Sequence, residues 1–370
     1  MRWFGRKSAD LPPLFLSIPG SEARSLFPSS PQSQLKEVFL TNPVGQRAVK
    51  LVAGAVGTLK IYATEGDEAA ANLLCRASLL EQMTASLLLN GNAYLQIVEA
   101  LGAPAQLFVL PADRMNIETD DKGWPRRYVY KAGRRTTVVP RHDELARTQV
   151  IHIRALNPTN EQTGLGCLDA ASAAAAIHNK ASRWNKALLD NAARPSGALT
   201  YDPADGAALS STQFTRLREE IDRQFSGSDN AGRPMLLEGG LKWQPLGLTP
   251  TDMDFCAIKE AAARDIALAF GVPPVLLGLP GDTAYANLRE AGRALYRQTV
   301  LPLAERIVSE VGEALADWFG PLRLAIDTDA ISELAEDRER LWQMVSAADF
   351  ISAAEKREML GFAPLPSPAK

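Results

Sequence analysis

The chain has 370 residues, a formal net charge of −3 and 46% hydrophobic residues. That length accommodates two or three modest domains with buried cores, and the abundance of Ala points to a globular, largely helical protein. The near-neutral charge excludes a tight nucleic-acid binder, because each phosphate contact by Lys or Arg adds affinity through counterion release; passing contact with DNA stays open.

Residues 1 to about 40 are rich in Pro and Ser and lack sustained periodicity, which predicts an extended arm that orders against a neighbour. Asn42-Pro43 opens a helix with Val49, Val52 and Val56 near one face. A strand, Leu59 to Tyr62, follows. A second helix over about 68 to 89 carries Leu73, Leu74, Leu79, Leu80 and Met83, and Asn90-Gly91-Asn92 ends it. From 93 to 155 the pattern becomes short β runs: Tyr94 to Val98, Leu107 to Leu110, Tyr128 to Tyr130 and Val150 to Ile153. Asp120 to Gly123 and Lys131-Ala132-Gly133 mark turns. After Pro158 the spacing predicts a helix from about Leu168 to Asn191, with the strongly helix-forming Ala173 to Ala176 at its centre.

Ala198 to Tyr201 reads as a strand. Ser210 to Gln213 reads as a capping box for a helix with the stripe Phe214, Leu217, Ile221 and Phe225. Met235-Leu236-Leu237 and Leu241-Lys242-Trp243 flank Gly239-Gly240, a hairpin signal. Thr249-Pro250-Thr251-Asp252 starts another helix, lined by Phe255, Ile258, Ala262, Ile266 and Ala269. Gly271 and Pro273-Pro274 stop it. A loop leads into a long helical segment ending near Phe319. Pro302 lies inside it and predicts a kink near 298–302, since it lacks the N–H that the helix needs. A strand over Leu322 to Ile326, helices carrying Leu341, Trp342, Val345, Met359 and Leu360, and a Pro-rich tail complete the chain.

Catalytic chemistry is missing from this pattern. Gly227 to Gly232 has the glycine spacing of a phosphate loop, but Arg233-Pro234 stands where Lys-Ser/Thr would bridge phosphates and hold magnesium. His142, His152 and His178 have no second His or Cys at metal-ligand spacing: His142 reads as part of a polar turn, His152 as a satisfied core or edge histidine, His178 as a helix-surface residue. Cys75, Cys167 and Cys256 form no CxxC pair and are expected to be buried or half-buried thiols in a reducing cytoplasm. No uncharged apolar run approaches the ~20 residues of a membrane span. The basic start, Met1 to Lys7, is not followed by an apolar stretch before Pro12-Pro13, so no secretory signal is expected.

Two charged features remain. Arg289, Arg293 and Arg297 stand at i, i+4 and i+8 on the long helix and project from one face. Either they form a solvated stripe, paired with Glu290 or acids elsewhere, or that face meets a polyanion or an acidic neighbour. Arg126-Arg127 and Arg134-Arg135 form a second basic cluster on the β region, read as surface.

The run Gly232 to Leu246 (GRPMLLEGGLKWQPL) resembles a segment of the portal proteins of long-tailed, siphovirus-type phages and related gene transfer agents. The order continues. Thr249 to Phe255 is similar to the family's Ser-Pro-x-Asp-x-x-Phe, and Ile266 to Gly278 (IALAFGVPPVLLG) to its most recognisable stretch. Tyr285-Ala286-Asn287, Thr299 to Pro302, Asn191 to Gly197 and Asn90 to Tyr94 also fall in family order. The match runs from about 45 to 365. It departs at Gly166-Cys167-Leu168, where many relatives have a Gly-Ser-Pro-Leu-like sequence, and in its short C-terminus.

The resemblance implies an α+β portal fold. It assigns 1–40 to an arm, 41–165 to a β-rich wing, 166–193 to a first stem helix, 194–248 to a small α/β clip and 249–271 to a second stem helix. Residues 272–326 become the tunnel loop, the long kinked helix and the rest of the wing, and 327–370 a short crown and tail. It implies a non-enzymatic subunit without cofactor, metal or membrane contact, in a dodecameric ring at one capsid vertex. The ring is assembled in the host cytoplasm and resides in a virion or gene-transfer-agent particle. Double-stranded DNA would pass through the channel without sequence specificity, with terminase, a head–tail adaptor and the major capsid protein as partners. Arg289, Arg293, Arg297, Asp282 and Thr283 become channel candidates. Arg216, Glu220, Arg223, Asp229 and Asn230 become clip contacts for adaptor or terminase. The alternatives are a DNA-packaging or processing enzyme, nuclease or ATPase, against which the missing phosphate loop and metal cluster argue, and a monomeric protein-binding adaptor.

Overall fold

The structure is a computed structural model. It describes residues 27–190, 197–201, 212–213, 215–216, 219, 241–245, 255–280 and 285–360. Where an extended arm was expected, α1 (Pro31–Leu35) runs into a π turn over Lys36–Leu40. Ser30 caps α1 reciprocally with Ser33. α2 (Pro43–Gly57) starts at the expected cap: the Asn42 side chain accepts from the amides of Val44 and Gly45, two of the donors a helix start leaves unpaired. The expected single helix over 68–89 is two, α3 (Glu68–Leu74) and α4 (Ala77–Asn90). Between them Arg76 is extended and the Cys75 thiol donates to the carbonyl of Ile61, so α3 packs on strand β1 (Ile61–Glu65) while α4 packs on α2.

The β region has two three-stranded antiparallel sheets. The first has the order β3 (Ala103–Leu110), β2 (Asn92–Ala100), β7 (Val150–Arg154); the second has the order β4 (Met115–Thr119), β5 (Pro125–Ala132), β6 (Arg135–Pro140). Its far end is tied back to the chain's C-terminal third. Asp317 accepts from the amide and hydroxyl of Thr148 at 3.1 and 2.6 Å, and the Trp318 indole donates to the Thr148 carbonyl at 2.9 Å. The Arg147 guanidinium sits 3.9 Å over the Trp318 ring.

Helix α5 (Leu168–Asp190) and helix α6 (Phe255–Ala269) pack against each other, with Trp184 stacked on Phe255 at 4.0 Å. Strand β9 (Leu241–Pro245) pairs antiparallel with β8 (Gly197–Tyr201), Thr200 opposite Lys242. Met235 to Leu237, the other arm of the expected hairpin, lies outside the described residues. The stop of α6 is a Schellman motif: Gly271 has φ +63° and donates to the Leu268 carbonyl, and Val272 donates to that of Ala267. The long helical segment is α7 (Tyr285–Leu295), a π turn (Tyr296–Val300) and α8 (Leu301–Phe319). Strand β10 (Arg323–Ile326) pairs with β1, Ile61 opposite Ile326. The helices α9 (Ala335–Ala347) and α10 (Ala353–Met359) close the described chain.

One large core joins these parts. It contains Val49 and Val52 of α2, Leu80 and Met83 of α4, Leu95 of β2, Ile153 of β7, Ile266 of α6 and Ile307, Val311 and Leu315 of α8. Two expectations are corrected here. His178 is buried, 4% exposed, rather than on the surface. The α1–α2 junction covers it: Asn42 Nδ2 donates to Asn179 Oδ1 and lies 3.3 Å from His178 Nδ1. Burial and then Lys259 hold its pKa below the usual histidine value. Cys75 and Cys256 are exposed, and Cys167 is intermediate. Among the described residues no helix is long and apolar enough to cross a membrane.

Gly166 has a steric reason, while nothing in the structure explains Cys167 after it. The 164–166 loop crosses the end of α4 so closely that a Cβ on Gly166 would lie 2.2 Å from the Leu89 carbonyl oxygen. Gly91, at φ +71°, would meet the Leu165 carbonyl carbon at 2.3 Å. Gly91→Ala is therefore expected to cost at least about 1–3 kcal/mol of overpacking, beyond its backbone strain, and a lowered urea midpoint would show it.

Candidate functional site

The arginine stripe on the long helical segment is the functional feature that the sequence singles out and the structure describes. Pro302, second residue of α8, has no N–H, and in an uninterrupted α-helix its ring would press on the carbonyl four residues back. The backbone widens here: the Leu301 amide reaches the Tyr296 carbonyl, five residues back. Thr299 in this turn donates to the Gly271 carbonyl at 2.7 Å, fixing it to the stop of α6.

All three arginines meet carboxylates of their own chain. Arg293, the central one, is 8% exposed. Its Nη1 donates to Glu290 at 3.0 Å and its Nη2 to Glu336 at 2.6 Å. Its Nε stands 3.7 Å from Asp337, an ion-pair distance without a hydrogen bond. Arg289 pairs with Glu336 and Arg297 with Asp337. Three guanidinium groups thus face three carboxylates, and α9 is held against α7 by charge. The fork geometry of guanidinium suits such shared contacts.

The electrostatics follow from these contacts. The hydrogen bond from Arg293, and then the charge of Arg289, hold the Glu336 carboxyl below the usual glutamate range. Arg293 is pushed above the usual arginine value, chiefly by its hydrogen bond to Glu336 and against its burial. Arg289 and Arg297 keep side-chain exposures of 52% and 56%, so the outer part of the stripe still faces solvent.

A second feature is a cleft of about 820 Å³ between the β region and α8. Lys122, Arg141 and Arg154 line one side and Glu310 and Glu313 the other. His152 in its wall stacks on Tyr94 at 4.2 Å and donates from Nε2 to Asn92 Oδ1 at 3.0 Å. The carbonyl end of that amide is the acceptor because it also receives the Gly164 amide. Burial, and then Arg154 and Arg141, push the His152 pKa down to about 3, which keeps it neutral. It is a satisfied histidine at a sheet face, without partners for metal binding. Among the described residues no group of three His, Cys, Asp or Glu side chains could hold a metal ion.

Arg216 is an exposed helical residue. Asp282, Thr283, Glu220, Arg223, Asp229 and Asn230, and the glycine loop Gly227 to Gly232, lie outside the described residues. Sequence reasoning missed Glu336 and Asp337, the partners of the stripe. Their only signal was an acidic first turn of α9 placed about forty residues downstream.

The model of the family described as phage portal protein matches residues 43–361. The chain belongs to the phage portal protein family. It is accordingly a structural capsid component and not an enzyme, and the resemblance read from Gly232 to Gly278 stands. A chain of the neck of a native gene transfer agent particle, computed with C12 symmetry, is 43% identical; the match covers 92% of this chain and 95% of that one, with a TM-score of 0.70. An uncharacterized protein of Rickettsia bellii is 38% identical over 335 residues, covering 85% of each chain. A probable portal protein of Streptomyces phage phiC31 is 26% identical over 306 residues, covering 79% of this chain and 64% of that one. The α+β architecture is similar to that of this chain of the gene-transfer-agent neck.

The α7–α9 pairing generates a pH expectation. A carboxyl whose folded pKa is depressed stabilises above its unfolded value, about 4.3, and that stabilisation is lost as pH falls through the folded value. At neutral pH, Glu336→Gln should therefore speed amide exchange in α9 without changing exchange in α2 or α4. The parent chain should show the same change only below the ordinary glutamate range.

Proposed function

We propose that this chain is one subunit of a twelve-membered ring at the neck of a phage or gene-transfer-agent particle, and that double-stranded DNA passes through the ring. The observation that carries this is the likeness, at 43% identity over nearly the whole chain, to a chain of a neck with C12 symmetry. In this reading the β sheets form the wing, α5 and α6 the stem, the segment between them the clip, α7 the tunnel helix, and α9 and α10 the crown. Terminase and the head–tail adaptor dock in turn on the clip, through Arg216, Glu220, Arg223, Asp229 and Asn230. The major capsid protein surrounds the ring.

The charge distribution supports a channel that lets DNA slide. Net charge is −3 and the arginines of α7 are paired with acids of their own chain, so the ring does not multiply a tight phosphate contact. Arg289 and Arg297 are the channel candidates that keep exposed surface, joined by Asp282 and Thr283, which precede α7 in the sequence; Arg293 anchors α7 to α9.

Electron microscopy of the purified chain should show rings with a central hole. A monomer at every concentration, both alone and when co-expressed with its capsid proteins, would overturn the reading. Arg289→Gln and Arg297→Gln together should lower the share of DNA-filled particles severalfold, with amide exchange in α2 and α4 unchanged to show that the core is intact. Arg293→Glu, by contrast, sets a fourth carboxylate among three and should release α9. Full DNA loading of the double variant would remove α7 from the channel wall.

A further inference from the structure

Two oppositely charged surfaces of this chain are left unpaired, and they lie on different parts of it. The first is the β5–β6 hairpin. β6 is the edge strand of its sheet, and five of its six residues are exposed; Val139 packs inward. Ala132 stands opposite Arg135, leaving a two-residue turn of Gly133 and Arg134, with Gly133 at φ +59°. Lys131, Arg134 and Arg135 surround this small tip and are exposed. None of them makes an ion pair or side-chain hydrogen bond among the described residues, whereas Arg127 on the same strand pairs with Glu118.

The second surface is the outward face of α8. Glu305, Glu310 and Glu313 are exposed there and make no ion pair among the described residues; Arg306 is exposed on the same helix, and Lys122, Arg141 and Arg154 line the opposite side of the 820 Å³ cleft from Glu310 and Glu313. The three glutamates span eight residues, about 12 Å of helix. Glu313 forms a ridge between the 820 Å³ cleft and a second cleft of about 560 Å³, which is lined by the apolar Val308, Leu324 and Ile326 and by the charged Glu305 and Arg323. Lys131, Arg134 and Arg135 line neither cleft of their own chain.

We infer that the β5–β6 hairpin tip of one copy docks on the α8 ridge of the next. The tip offers Ala132 and Gly133 to the apolar lining and its cations to Glu305, Glu310 and Glu313. An external acidic partner, or DNA, would satisfy only the hairpin and leave α8 unpaired; a second copy satisfies both at once. The contact joins two different surfaces of one chain, so it is head-to-tail, the kind that closes into a ring when the rotation per subunit closes. An exposed edge strand needs such cover to avoid unspecific pairing. This inference rests on the ring reading above and adds which surfaces meet.

The test uses the full chain with Cys75→Ser and Cys256→Ser, and ring yield read by electron microscopy and sizing. The pair Arg134→Glu and Arg135→Glu should lower ring yield at least tenfold, and so should the pair Glu310→Lys and Glu313→Lys. All four together should restore it to within twofold. Circular dichroism and melting of each variant separate this from misfolding. In the same background, mixing an Arg135→Cys chain with a Glu313→Cys chain under oxidation should give a disulfide-linked dimer, while a chain carrying both should give a ladder of multimers. Rings unaffected by either reversal, no recovery in the fourfold variant, or no cross-link would overturn the contact while leaving the ring reading intact. Loss of DNA or particle incorporation without loss of rings would assign the hairpin to an external partner instead. A parent chain that forms no ring would overturn both.

Discussion

The buried stripe of α8 is the constraint on which the rest of the molecule depends. Ile307, Val311 and Leu315 recur every four residues and are fully enclosed. Around them meet α2, α4, the strands β2 and β7, and the end of α6, elements drawn from both ends of the described chain. A helix that serves as a common support must be fixed at both ends, and the two ends are fixed differently. The C-terminal end is held by directional polar contacts, with Thr148 gripped by Asp317 and Trp318. The N-terminal end is held through Thr299 on the Gly271 carbonyl, just past the stop of α6.

This division of labour separates stiffness from charge. The apolar stripe and the Thr148 joint set where α8 lies. The ion cluster of α7 and α9 adds little burial and depends on geometry shared among six side chains. Solvent-exposed pairs contribute little individually, and the cluster gains its definition from the enclosed Arg293 at its centre. In the proposed ring, engaged cations would leave a passing polyanion ungripped, because loose guanidinium groups add phosphate contacts.

Much of this fold was legible in the sequence wherever periodicity and punctuation agreed. Asn42-Pro43, Asn90-Gly91, the Ala-rich helix and Gly271-Val272-Pro273 all lie where capping and stop chemistry place them. The parts that were not legible depend on contacts between residues far apart in the chain. The break at Cys75 follows from β1 pairing with β10 on the far side of α3, and no local rule announces it. The pairing of β8 with β9, across about forty intervening residues, competes with the nearer Gly239-Gly240 turn signal. The arginine stripe was visible as spacing, but its partners lie on another helix, and burial of His178 depends on an α1–α2 junction that propensity alone read as an arm.

The π turn before Pro302 has one more effect. A five-residue turn holds one residue more than an α-helical path would, and one residue corresponds to about 100° of rotation around a helix axis. The side chains of α7 are therefore set about a quarter turn away from the direction that the phase of α8 would give them. It is in this phase that Arg289 and Arg293 meet Glu336. A proline that would ordinarily count against a helix acts here as a phase shifter, aiming one half of a long rod independently of the half that is locked in the core.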